Sequence, residues 1–124
     1  MPKKRVLVVE DNLDTYELVR LILEKYGYET FLAANGRDGV DAALKQKPDL
    51  IIMDMAMPEM DGWTATEKIK TDPSMKSIPL VALTARVTAP ERARALEAGC
   101  DEFLTKPIDL NELVDTVNRW ANKQ

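Results

Sequence analysis

Short apolar runs alternate along this chain with longer stretches in which apolar residues recur every three or four positions. The runs Val6–Val9, Tyr28–Ala33, Leu50–Met53, Leu80–Leu83 and Phe103–Thr105 predict five strands. Between them, Tyr16, Val19, Ile22, Leu23 and Tyr26 fall on one face of a first helix, with Asn12 as its cap and Gly27 as its stop. A second helix spans 36 to 46 and ends before Pro48. A third begins near Asp61 and stops at the Asp72-Pro73 turn. Pro90 suits the first turn of a fourth helix that Gly99 ends. A fifth carries Leu110, Leu113, Val114, Val117 and Trp120 on one side.

Five βα units without repeats or linkers predict one α/β domain over residues 1–124, a three-layer sandwich with a parallel sheet between helices. "VLVV", "LIIM" and "LVAL" are apolar throughout, as strands buried on both faces must be. "YETFLAA" mixes polar and apolar positions and the Phe103 strand is short, so both read as edges. With the third strand beside the first, the order is 2-1-3-4-5, already familiar from flavodoxin-like folds. The fold class expected is therefore (βα)5 flavodoxin-like. Such sheets bind ligands beyond the carboxyl ends of their strands, at the switch between the first and third.

Polar residues collect at that edge. The first strand runs into Glu10 and Asp11, the third ends on Asp54, the fourth on Thr84, and the fifth on Lys106-Pro107. A solvated rim could account for any one of them, but not easily for all five at the expected strand ends. Three carboxylates this close repel one another unless a cation joins them. Oxygen donors without imidazole or thiolate select a hard ion, Mg²⁺ above all. Asp11 and Asp54 are the expected direct ligands, with Glu10 acting through water. Asp54 beside such an ion could attack phosphorus as a carboxylate nucleophile. Lys106 would add neutralising charge and Thr84 a hydrogen bond to a phosphoryl oxygen.

Composition narrows the chemistry further. The chain contains no histidine, which excludes Ser-His-Asp and Cys-His pairs, imidazole metal ligands and phosphohistidine on this chain. Its one cysteine, Cys100, excludes an internal disulfide and any multi-thiolate zinc site; following Gly99 in a loop, it reads as structural. With 21 acidic against 17 basic residues and a net charge of −4, nucleic acid is not an expected partner. Only four apolar residues follow the basic start "MPKKR", too few for a signal peptide or membrane span, so a cytoplasmic location away from the membrane is expected.

The segments "VVEDN", "DLIIMDMAMPEMDG", "IPLVALTA" and "GCDEFLTKPIDL" resemble the receiver domain of two-component response regulators, from about residue 4 to 122. Each motif alone is weak; their order and spacing together are specific. Glu10 and Asp11 then match the acidic metal pair, Asp54 the phosphoacceptor, Thr84 the switch hydroxyl and Lys106 the phosphate-contacting lysine. Phe103 matches the switch aromatic and Pro107 the proline after a cis peptide bond, while the backbone carbonyl of Ala56 would be a metal ligand. The resemblance implies a Mg²⁺-dependent signalling module that promotes its own phosphorylation and autodephosphorylation rather than an enzyme acting on other substrates. Its expected donor is a histidine kinase or histidine phosphotransfer protein, its output a protein-binding face, and its state monomer or weak dimer. Ala56 and Arg86 stand where side chains control hydrolytic water, so they bear on the phosphorylated lifetime. Glu10 replaces the aspartate many relatives carry.

Other readings fit less well. An aspartyl phosphohydrolase usually needs a second aspartate as general acid two residues after the nucleophile, where this chain has Ala56. A flavin or nucleotide carrier needs a glycine- and hydroxyl-rich loop after the first strand, and "EDNLD" would repel a metal-free phosphate. A degenerate receiver serving only as a docking protein would not keep all five residues. Because the sequence stops after the fifth helix, it reads as a single-domain regulator of the cell-division type, with a receiver excised from a hybrid histidine kinase as the alternative. Among the remaining candidates, the five methionines between 53 and 75 read as packing rather than a soft-metal site. Trp63 reads as packing at the start of the third helix, or as a partner contact, and Trp120 as closing the core. The "KKR" segment reads as a solvated terminus.

Overall fold

The computed structural model describes residues 3–55, 61–85 and 88–122. Strands β1 (Arg5–Val9), β2 (Glu29–Ala33), β3 (Leu50–Asp54), β4 (Leu80–Thr84) and β5 (Glu102–Thr105) alternate with helices α1 (Leu13–Lys25), α2 (Gly36–Gln46), α3 (Gly62–Thr71), α4 (Ala89–Ala98) and α5 (Leu110–Ala121). The strands form one parallel sheet in the order β2-β1-β3-β4-β5, the flavodoxin-like arrangement expected.

Successive side chains of a strand point to opposite faces, and this divides the core. Leu7, Val9, Ile51, Met53, Leu80 and Ala82 pack with Ala43, Ala65 and Ile69 of α2 and α3. Val6, Val8, Leu50, Ile52, Val81 and Leu83 pack on the other face with Val19 and Leu23 of α1 and Leu113 and Val117 of α5. The three central strands are thus covered on both sides, which accounts for their unbroken apolar runs.

Every helix starts with a side chain that accepts a backbone N–H of its first turn. Asn12 accepts from Thr15, Asn35 from Asp38, Asp61 from Thr64, Thr88 from Glu91 and Asp109 from Glu112. Each cap contributes about 1 kcal/mol. Because a helix follows each strand's carboxyl end, the caps also fix the backbone around the functional edge. Gly99 ends α4 in the left-handed region at φ 100°.

Three side chains depart from the sequence pattern. Tyr26, assigned to the buried face of α1, is 54% exposed because the helix ends at Lys25 and Tyr26 is already its C-cap. Leu110 is 38% exposed, occupying the first turn of α5 beyond the sheet. Arg5 of the "KKR" segment is not a solvated terminus: it belongs to β1, pairs with Glu29 and stacks on Phe31. Met53, Met55 and Met75 are core residues, whereas Met57 and Met60 lie outside the described residues.

Candidate functional site

Glu10 follows β1, and its backbone N–H donates to the Ala33 carbonyl of β2. This holds its side chain at the carboxyl edge, fully buried. Asp54 is the last residue of β3 and only 3% exposed. Its position depends on a close approach by the start of α3. A Cβ on Gly62 would lie 2.3 Å from the Asp54 carbonyl oxygen and 2.5 Å from Met55 Cα, so only glycine lets the helix seat there. The Gly62 N–H also donates to the Met55 carbonyl at 3.2 Å. Lys106 is anchored by its N–H to the Thr84 carbonyl at 2.8 Å, and the Lys106-Pro107 peptide bond is cis.

Glu10, Asp11, Asp54, Thr84 and Lys106 all line one cavity of about 570 Å³. Lys106 Nζ donates to Asp54 Oδ2 at 3.1 Å and lies 3.4 Å from Glu10 Oε1. The Asn12 N–H donates to Glu10 Oε2 at 3.1 Å. One carboxylate oxygen from each of Glu10, Asp11 and Asp54 can be chosen so that all lie within 4.8 Å of one another. Burial pushes Glu10 up to about 7, reinforced by hydrogen bonding and charge from Asp54 and opposed by the Asn12 N–H and Lys106. Burial works to lower Lys106, but the charge and hydrogen bond of Asp54, then Glu10, outweigh it and hold the ammonium above its ordinary range.

Among the described residues, Glu10 Oε1 is buried without a well-formed hydrogen bond, and Lys106 Nζ lies 3.4 Å away. A buried carboxylate oxygen in that state is costly. An all-oxygen donor set with one such atom fits a hard divalent cation. The Ala56 carbonyl, expected as a further ligand, lies outside the described residues, as does Arg86.

Phe103 and Pro107 do not line the cavity. Phe103 is half-buried on β5, opposite Ala82 of β4 and under the Arg92 guanidinium at 5.1 Å. Cys100 is buried, which pushes its thiol up to about 11 and suits the structural role expected of it. Trp120 packs against the core beneath α5, and its indole donates to Glu102. Sequence reading did not assign Glu91 and Arg94 of α4 to the site, yet both line the cavity, together with Trp63. Their spacing of three on a helix signals a shared face, but nothing local signals which cavity that face meets.

The fold and this edge define a class: a parallel α/β domain carrying an acidic, lysine-bearing pocket at its topological switch. A model of the response regulator receiver domain matches residues 6–118, and the chain belongs to that family, the receiver domains of two-component response regulators. It is 36% identical to the polar-differentiation response regulator DivK of Brucella anthropi, over 97% of both chains. The receiver domain of the sensor histidine kinase PA1611 of Pseudomonas aeruginosa, solved with magnesium coordinated in its active site cleft, aligns with a TM-score of 0.90. That match has 33% identity and covers 98% of this chain and 99% of the other. The receiver domain of Ssk1 from Saccharomyces cerevisiae, solved with the phosphotransfer protein Ypd1, aligns with a TM-score of 0.89. It is 30% identical and the match covers 97% of this chain and 90% of the other. No helix among the described residues is long and apolar enough to cross a membrane.

Proposed function

We propose that this receiver accepts a phosphoryl group on Asp54 and thereby switches a protein-binding face, residues 1–124 acting as one cytoplasmic unit. The observation that carries this reading is a buried carboxylate at the end of β3, held by Lys106 at 3.1 Å beside Glu10 and Asp11. Asp54 attacks phosphorus, the bond from phosphorus to the donor's leaving group breaks, and the leaving group departs with the electron pair. Asp11 and Asp54 would hold Mg²⁺ directly, with Glu10 behind a water and the Ala56 carbonyl as a further ligand. Bound there, the ion supplies neutralising charge for the phosphoryl oxygens. Lys106 shifts its ammonium from carboxylate to phosphoryl oxygen, and Thr84, at the end of β4, donates a hydrogen bond to another. Likeness to the Ssk1 receiver, solved with Ypd1, supports a histidine phosphotransfer protein or histidine kinase as donor. Likeness to the PA1611 receiver favours a second reading, in which the chain is the receiver part of a hybrid kinase.

Acetyl phosphate with Mg²⁺ should give one phosphoryl adduct by intact mass, located at Asp54 by borohydride trapping and peptide mapping. EDTA should prevent it. An adduct at another carboxylate, or labelling unaffected by EDTA, contradicts this assignment.

The output follows from Thr84 and Phe103. When Thr84 turns toward the phosphoryl group, space opens behind it, and Phe103 is the large side chain on the adjacent strand able to enter. Lacking a hydroxyl, Phe103 moves inward without desolvating a polar atom. Phosphorylation thus biases two arrangements of the α4–β5–α5 face. Thr84→Ala and Phe103→Ala should keep Asp54 phosphorylatable but lose the NMR shifts that beryllofluoride induces in residues 88–98 and 103–118 of the wild type. Shifts confined to the Asp54 pocket in the wild type would contradict this coupling.

A further inference from the structure

Helix α4 is lightly held. It commits only Ala95 and Ala98 to the core. Its lateral contacts include two guanidinium–aromatic stacks: Arg92 over Phe103 of β5 at 5.1 Å, and Arg94 over Trp63 of α3 at 4.5 Å. The second stack stands in the wall of the Asp54 cavity, which both Trp63 and Arg94 line.

Among the described residues, Lys106 and Arg94 are the cationic side chains of that cavity, against the carboxylates of Glu10, Asp11, Asp54 and Glu91. Lys106 is already engaged by Asp54 and Glu10. Arg94 is exposed and makes no hydrogen bond or ion pair within the described residues; its guanidinium rests on a ring. An exposed cation–π contact is weaker than charge-assisted hydrogen bonds from a guanidinium fork to phosphoryl oxygens. Phosphorylation turns one carboxylate into an acyl phosphate and adds roughly one negative charge in the cavity. That charge competes directly with the Trp63 face for Arg94.

We propose that Arg94 senses the phosphoryl group: once Asp54 is phosphorylated, its guanidinium leaves Trp63 and donates to phosphoryl oxygens, pulling on α4. This rests on Asp54 being the acceptor. It gives α4 its own link to the site, independent of the path through Thr84 and Phe103. One end of the helix's attachment to α3 is exchanged for an attachment to the phosphoryl group.

In ¹⁵N-labelled wild type, acetyl phosphate with Mg²⁺ should shift both the Arg94 Nε–Hε and Trp63 indole N–H signals, and Asp54→Asn should shift neither. Arg94→Gln keeps length but not charge, and should lower the steady-state phosphorylated fraction at limiting acetyl phosphate by about threefold. Arg94→Lys keeps the charge but not the planar fork, so it should recover part of what Arg94→Gln loses, which a purely packing role for the stack would not produce. If intact mass shows the Asp54 adduct while both signals stay fixed, the sensing role is wrong and the acceptor assignment stands. The same holds if Arg94→Gln is phosphorylated like wild type. A wild type that takes no adduct on Asp54 overturns both.

Discussion

Asp54→Asn is expected to abolish phosphoryl labelling and, at the same time, to make the metal-free protein more stable. The carboxamide is nearly isosteric, so Leu83 pairing and the seat of Gly62 against β3 remain. What disappears is a negative charge, 3% exposed, packed against the wholly buried Glu10. Without it, the like-charge repulsion and hydrogen bonding that help raise Glu10 are removed. Lys106 keeps Glu10 as its ion-pair partner. The expected gain is about 1 kcal/mol, a few degrees in melting temperature for a domain of this size. Intact mass after acetyl phosphate and thermal unfolding in EDTA read the two effects separately. Loss of labelling with a fall in stability would mean that Asp54 is a structural carboxylate, compensated by Lys106. Opposite signs are the mark of a site in which function is retained at a cost to the fold.

Sequence made the edge legible because a parallel sheet converts position along the chain into position in space. Residues that finish strands β1, β3, β4 and β5 must meet at one end, which is how Glu10, Asp54, Thr84 and Lys106 could be brought together from their places in the chain alone. Strand order was legible for a similar reason: burial on both faces leaves an unbroken apolar run in "VLVV", "LIIM" and "LVAL", and partial cover does not. Side-chain contacts between neighbouring helices, or between a strand and the helix after it, carry no such mark. Arg94 of α4 reaches Trp63 of α3 across the intervening β4, and the Glu102 carboxylate of β5 gathers Thr116, Arg119 and Trp120 from α5. Locally, Arg94 is an ordinary exposed charge on a helix and Glu102 an ordinary charge on an edge strand. Tyr26 failed in the other direction: helical spacing continued one residue past the helix's own end.

Metal-free stability should fall as the pH rises from about 4.5 to about 7, against the usual trend for carboxylate-rich proteins. Glu10 has an ordinary value of 4.5, and in the folded protein burial above all raises it to about 7, with Asp54 adding to the shift. Between those values the folded state holds a proton that the unfolded chain has released, so each step up in pH favours unfolding. The whole shift on Glu10 corresponds to about 3 kcal/mol. Glu17 and Asp72 act in the opposite sense. The Arg20 hydrogen bond lowers the first and the Ser74 hydroxyl the second, so their stabilisation is lost only as pH falls below the ordinary carboxylate range. Within the window, Glu10 therefore sets the slope. A cation in the cluster competes for the same oxygens, so Mg²⁺ should bind more weakly below neutral pH and displace a proton on binding. Urea unfolding in EDTA at pH 5 and pH 8 should show the wild type more stable at the lower pH, and Glu10→Gln should remove the difference. Equal wild-type stability at the two values would mean that Glu10 is ionised throughout. The buried oxygen without a well-formed hydrogen bond would then need a partner other than a proton in the metal-free protein.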